Sequence, residues 1–409
     1  MSEIVRLLQR RADAARRDTE FAVAVRHLAH PIRLAVEPSG PVVTAWEGDG
    51  RSPGEDAVVV RAAEAIWQRI ACAVPAPGYH SFTAVRRQAG AVAVDGSPLA
   101  VAQALHALER LFEILRRDEE DAATSPPDLS AVSGAYHRVT VDGEPLNLYA
   151  ESCGPADAPA LLMLHTAGAD SRQYHGLMAD ARLRAAWRLI AFDMPGHGRS
   201  MPPPSAAWQG RVLGRERYLA VCAAFARQVV RRPVTLLGCS MGAAMALYMA
   251  ARHPEAVAGV VALEAPWRAL GRLTPYLAHP AVNAAAHNPA YVRGLMGPAA
   301  SLQARREAAW IYSQGGFGTY AEDLHFYSED FDASVHLQGL RADRFGIALL
   351  TGAYDYSASP ADSERVARMI PGARFVVMPD LGHFPMVEHP ARLMDYLVPE
   401  LERIRAAQR

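Results

Sequence analysis

Gly238-Cys239-Ser240-Met241-Gly242 sets a serine between two glycines in the pattern G-x-S-x-G. The apolar run Val234–Leu237 leads into it and the helical run Ala243–Ala251 leads out, so the serine stands at a strand-to-helix turn. A residue at the apex of such a turn takes strained dihedrals, and its neighbours must be small for the chain to reverse so tightly. The turn exposes Oγ. The helix that follows offers unpaired N–H groups and the positive end of its dipole to a developing oxyanion. The chemistry indicated is nucleophilic attack on a carbonyl carbon.

A serine hydroxyl needs a base. His383 lies in Asp380-Leu381-Gly382-His383-Phe384-Pro385, just after the strand-like run Arg374–Met378. From there an imidazole reaches the sheet edge, takes the serine proton and returns it to the leaving group. Among 15 histidines the nearest rival is His389, which precedes Pro390 at a helix start and reads as solvent-facing. The imidazole in turn needs an orienting carboxylate. Asp355 follows the run Ile347–Leu350 and the turn Thr351-Gly352-Ala353-Tyr354, which gives the chain order Ser240, Asp355, His383. Glu264, at the end of the run Val257–Leu263, is the alternative acid, and Asp362 in the next helix is a decoy. The oxyanion needs two N–H donors. Met241 supplies one and Ala167, in the loop His165-Thr166-Ala167-Gly168 after Ala160–Leu164, supplies the other. Losing one such donor typically costs about 3–4 kcal/mol of transition-state stabilisation.

The elements that must carry these residues divide the chain. At 409 residues it exceeds the size at which a single core stops growing, so two domains are expected. Asp118-Glu119-Glu120-Asp121 followed by Ser125-Pro126-Pro127 cannot continue a helix and reads as a linker over 118–135. Before it, residues 1–117 hold an opening helix, β-like runs at Ile32–Val36, Val42–Trp46 and Ala57–Arg61, and a helix over Ala63–Cys72. A strand over Ala91–Val94 and one long amphipathic helix over Leu99–Leu115 complete that half. After the linker, residues 136–409 alternate strands and helices. An opening hairpin of Arg138–Val141 and Leu146–Glu151 precedes apolar runs that include Ala160–Leu164 and Arg188–Phe192, as suits a mainly parallel sheet covered on both faces. The stretch of about 268–340 interrupts the pattern and reads as a helical cap. Its aromatics Trp310, Tyr312, Phe317, Tyr320, Phe326 and Tyr327 suit either an apolar substrate or the cap's own core.

Composition removes several classes. Lys+Arg at 42 against Asp+Glu at 43 leaves a net charge of −1 and no electrostatic case for nucleic acid. Every basic residue is arginine, which excludes a Schiff-base lysine and a Walker A lysine. Cys72, Cys153, Cys222 and Cys239 are too few and scattered for a disulfide framework, and no zinc-ligand spacing or other metal or cofactor motif occurs. Without a signal-peptide pattern or a run long enough to span a bilayer, a cytoplasmic protein with no stable membrane insertion is expected.

The second half resembles the α/β-hydrolase superfamily. The elbow carries the resemblance, and so does Asp193-Met194-Pro195-Gly196-His197-Gly198-Arg199-Ser200, similar to the family's D-x-P-G-x-G-x-S loop. The resemblance implies an α/β-hydrolase fold with a helical cap insertion, preceded here by a smaller α+β domain. It also implies a structural role for Asp193 and His197, and no cofactor. Thr166 stands where the family more commonly carries glycine. Residues 1–117 resemble the sterol-carrier-protein-2-like fold in element order and in the pattern Ala91-Val92-Ala93-Val94-Asp95-Gly96 before a Leu-rich helix, which implies an apolar ligand; a homodimer interface is the alternative. The expected activity is serine-dependent hydrolysis of an apolar carboxylic ester or thioester. A carbon–carbon bond hydrolase of the same fold and a non-catalytic lipid carrier are the alternatives.

Overall fold

The computed structural model describes residues 2–38, 40–50, 56–117, 125–203, 214–315 and 318–407. The acidic run 118–121 and Phe317 lie outside the described residues. Two compact units form, Met1–Ala123 with Pro275–Ala309, and Thr124–Thr274 with Trp310–Arg409. Part of the stretch read as a cap therefore packs with the N-terminal half, and the rest stays with the large sheet.

In the first unit, β1 (Ile32–Glu37), β2 (Val42–Trp46), β3 (Val58–Ala63) and β4 (Ala93–Asp95) form a sheet in the order β2-β1-β3-β4. β1 and β3 run parallel, while the two outer pairs are antiparallel. The opening helix, Glu3–Arg17, buries Ile4, Val5, Leu8, Ala12 and Ala15, the stripe its spacing predicts. The long helix expected over Leu99–Leu115 is instead two, Pro98–Gln103 and Leu105–Arg116. Between them Ala104 takes φ −84° and ψ −4° while its N–H still bonds the Ala100 carbonyl. A bend this small leaves the apolar periodicity intact, so periodicity alone reads as one helix. Phe112 meets Phe82 and Trp67 at ring-centroid distances of 5.4 and 6.2 Å in the core. The helix Ala284–Arg293 packs onto this core through Ala290 and Tyr291.

The second unit is built on eight strands: β5 (Ser133–Val141), β6 (Glu144–Cys153), β7 (Ala160–Leu164), β8 (Arg188–Phe192), β9 (Val234–Cys239), β10 (Val257–Leu263), β11 (Ile347–Gly352) and β12 (Arg374–Met378). Their order is β12-β11-β10-β9-β7-β8-β6-β5. β6 is antiparallel to both neighbours, and every other neighbouring pair is parallel. All residues of β7, β9 and β11 are buried, as befits strands covered on both faces. The carboxyl ends of β9, β10, β11 and β12, adjacent in the sheet, bring Ser240, Glu264, Asp355 and His383 to one edge, where doubly wound folds hold their sites.

Candidate active site

β9 ends at Cys239, and the chain reverses at Ser240 into the helix Met241–Arg252. Ser240 takes φ +57° and ψ −116°, a backbone state that side-chain-bearing residues rarely adopt. Close approach explains the glycines. A Cβ on Gly238 would sit 2.1 Å from the Gly242 carbonyl oxygen, and one on Gly242 would sit 2.1 Å from that of Leu164. The Ser240 N–H donates to the Leu263 carbonyl at 2.9 Å, tying the turn to the end of β10.

His383 follows β12. Its Nε2 lies 2.8 Å from Ser240 Oγ, and its Nδ1 lies 2.6 Å from Asp355 Oδ2. A carboxylate beside Nδ1 fixes the proton there and leaves Nε2 to accept from the serine hydroxyl. The other Asp355 oxygen accepts from the Ser357 and Ala358 N–H groups at 2.6 and 3.1 Å, so the acid itself is fixed. All three side chains are buried. Glu388 grips the loop from the following helix. Its carboxylate accepts from the N–H groups of Gly382 and Phe384, on either side of His383, at 2.8 and 2.9 Å.

Glu264, the alternative acid, does not meet the imidazole. It sits at φ +54°, fully buried, and both its oxygens accept from the Gly352 N–H at 3.0 and 3.1 Å. Its carboxyl faces that of Asp355. Burial, then the Asp355 charge, pushes its pKa well above the ordinary range, so it is neutral and donates to Asp355. Burial also works against charge on Asp355, but the charge and hydrogen bond of His383, with the Glu264 hydrogen bond, hold its pKa below the ordinary value. The two carboxyls thus divide the work: one stays ionised against the imidazole, and the other holds the proton that lets them coexist. Glu264, Asp355 and His383 also bring one ligand-type atom each within 4.8 Å of one another. Hydrogen bonds from Gly352, Ser357 and Ala358 and to Ser240 account for this proximity as a relay.

Met241 is the first residue of its helix, and Ala167 lies in the loop after β7; both are buried. Among the described residues neither N–H is taken by a backbone or side-chain acceptor. The loop is braced from several sides. The Thr166 N–H and hydroxyl donate to Gln173 Oε1 at 3.1 and 3.0 Å, the same hydroxyl meets that of Tyr312, and the Gly168 N–H donates to Asp323 at 2.6 Å. Thr166 thus supplies a brace that a glycine lacks. His197 Nε2 lies 2.7 Å from Asp323, the carboxylate that holds the Gly168 N–H, and Asp193 anchors backbone by accepting from the N–H groups of Ser171 and Arg199 at 2.8 Å. His389 is exposed, and its ring caps the last helix by accepting from the Arg392 N–H at 3.2 Å. Asp362 pairs with Ser359 at 2.8 Å.

Glu388, Gln173 and Asp323 have no role in the sequence reading, and Tyr312 and Tyr327 enter it only as cap aromatics. Glu388 alone carries a local signal, five residues past the histidine on the same loop and helix. The Tyr327 hydroxyl is buried beside Ser240 and Ser357 without closing a hydrogen bond of good geometry to either.

Residues 161–396, more than half of the chain, match the Alpha/beta hydrolase family. A pimeloyl-[acyl-carrier protein] methyl ester esterase of Neisseria meningitidis is 27% identical over 252 residues, which cover 58% of this chain and 90% of that protein. Solved structures repeat the fold. A thermophilic esterase from Thermogutta terrifontis aligns with a TM-score of 0.52 at 21% identity, over 66% of this chain and 99% of that one. The enol-lactonase from Burkholderia xenovorans LB400 aligns at 0.55 and 19%, over 66% of this chain and 100% of that one. With the strand order, the elbow and a sequence match that spans both, the chain belongs to the alpha/beta hydrolase family.

Proposed function

We propose that the protein is a serine hydrolase that cleaves a carboxylic ester or thioester through an acyl-enzyme. The observation that carries this reading is the unbroken hydrogen-bonded line from Ser240 through His383 to Asp355, with the serine on a strained elbow. The esterase named among its relatives supports the same bond class. Ser240 Oγ attacks the carbonyl carbon as His383 Nε2 takes its proton, and Asp355 stabilises the imidazolium without becoming protonated. The N–H groups of Met241 and Ala167 meet the oxyanion. Collapse of the tetrahedral intermediate releases the alcohol or thiol, which takes the proton from His383. Water then attacks the acyl carbon and gives its proton to His383. The acid departs as Ser240 is restored to its protonated form.

The buried Tyr312, Tyr320 and Tyr327 support an acyl group with an apolar body. For the N-terminal unit, the sterol-carrier-like resemblance supports an apolar-ligand role. Native mass spectrometry of the full chain tests it: co-purifying lipid is expected, and a ligand-free protein contradicts it.

The reading is tested by mixing the enzyme with an excess of a nitrophenyl ester. A burst of nitrophenol equal to the enzyme concentration, with the acyl mass on the peptide containing Ser240, is expected. Linear release with no acylated peptide would contradict the acyl-enzyme.

A further inference from the structure

One buried hydroxyl beside the nucleophile has no part in the relay. Tyr327 is 1% exposed and stands on the wide helical turn Phe326–Asp330, which the Phe331 N–H closes on the Phe326 carbonyl, five residues back, at 3.0 Å. Turns of this width are rare and recur at functional sites. The Tyr327 hydroxyl lies beside those of Ser240 and Ser357. Ser357 is buried as well, and among the described residues neither the Tyr327 hydroxyl nor Ser357 Oγ closes a hydrogen bond. Folding normally pairs buried polar atoms, because an unpaired one has given up its bonds to water for nothing. Two such atoms side by side, next to a nucleophile, suit an oxygen that arrives with the reaction.

The strand order shows which oxygen they face. β7 and its oxyanion loop lie on one side of β9, and β10, β11 and β12 lie on the other. Ser357 follows β11 and His383 follows β12. An acyl carbon on Ser240 turns its oxyanion toward Ala167, and its leaving atom must come within reach of His383 Nε2, on the side where Ser357 and Tyr327 stand. Burial, then the charge of Asp355, pushes the Tyr327 phenol up, so at neutral pH it is a hydrogen-bond donor and not a base.

We infer that Tyr327 is a further catalytic residue, whose hydroxyl donates a hydrogen bond to the leaving-group oxygen in acylation and to the attacking water in deacylation. The inference rests on the serine hydrolase reading and deepens it. In acylation the bond from the acyl carbon to the leaving oxygen breaks, His383 Nε2 gives that oxygen its proton, and Tyr327 keeps its own while stabilising the developing charge. In deacylation water takes the place of the departed group. One of its protons goes to His383 Nε2, one lone pair attacks the acyl carbon, and the Tyr327 hydroxyl holds the other lone pair, which fixes the direction of attack.

The test compares wild type with Tyr327→Phe on the nitrophenyl and ethyl esters of one acid. Nitrophenoxide leaves readily without a donor, so the variant keeps the full nitrophenol burst, while the steady rate that follows it falls about tenfold or more as deacylation slows. Ethoxide needs the donor, so kcat/KM for the ethyl ester falls about tenfold further than for the nitrophenyl ester. The substitution removes only an unpaired buried hydroxyl, so the variant melts no lower than wild type. Wild-type rates on both esters, or equal fractional losses on both with no change in the ratio of burst to steady rate, overturn the inference and leave the acyl-enzyme standing. A variant that melts below wild type or fails to fold overturns it too, because the hydroxyl then has a structural partner. A wild-type protein without a burst contradicts the acyl-enzyme itself, and the role of Tyr327 falls with it.

Discussion

Two carboxyls stand near one imidazole, and the account assigns them opposite protonation states. Asp355 touches His383 Nδ1 at 2.6 Å, whereas Glu264 touches the Gly352 N–H and Asp355. Asp355→Asn should therefore lower kcat for a small ester by on the order of 10⁴, by favouring the wrong imidazole tautomer. Glu264→Gln keeps a neutral hydrogen-bonding group and should stay within about tenfold of wild type. If the losses are reversed, the acids are misassigned. The same pair predicts a stability signature. The pKa of Glu264 is higher in the folded protein than its ordinary 4.5, so its stabilising contribution is fully present below 4.5 and is lost as pH rises toward the folded value. The melting temperature of Glu264→Gln should gain on wild type as pH rises above about 4.5, and a constant difference would contradict a neutral Glu264. Ser240, His383 and Asp355 were legible because each follows an apolar run at a turn, a pattern local in sequence. The division of labour with Glu264 was not legible, since it depends on two strand ends meeting in space.

The inner strands β7, β9 and β11 were legible to within a few residues, because burial on both faces makes them apolar throughout. The braces around the oxyanion loop were not. Tyr312 and Asp323 are single polar residues in irregular sequence, and only folding sets them against Thr166 and Gly168. The elbow makes the sharpest prediction for an element. Gly242→Ala puts a Cβ 2.1 Å from the Leu164 carbonyl oxygen, so the helix Met241–Arg252 must move away from β7 or the elbow must open. Overpacking of this kind costs about 1–3 kcal/mol. It should also abolish ester turnover, because Met241 moves with the helix. Retained kcat with an unchanged melting temperature would contradict the close approach.

The whole molecule departs from a sequence-based division in one respect: residues 275–309 join the N-terminal unit. Arg293, 1% exposed, lies between Glu113 at 2.6 Å and Glu20, partners 180 and 273 positions away. No local pattern encodes such a pairing. Glu113→Gln strands these buried arginines and should destabilise the first unit by about 3–5 kcal/mol, measured by its unfolding transition. Burial opposes charge on Glu113, but Arg293 and Arg305 bring its pKa down to about 2, so its contribution is present above 4.5 and lost as pH falls toward 2. An unchanged transition at neutral pH would contradict the linkage. Among the described residues no helix is long and apolar enough to cross a membrane. The central claim, that Ser240 is an activated nucleophile, is tested most directly by treating the full-length protein with a fluorophosphonate and mapping the adduct by mass spectrometry. One stoichiometric adduct on Ser240, absent in Ser240→Ala and strongly slowed in His383→Ala, is the predicted result. A folded wild-type protein that takes no adduct, or one whose adduct persists in Ser240→Ala, would contradict it.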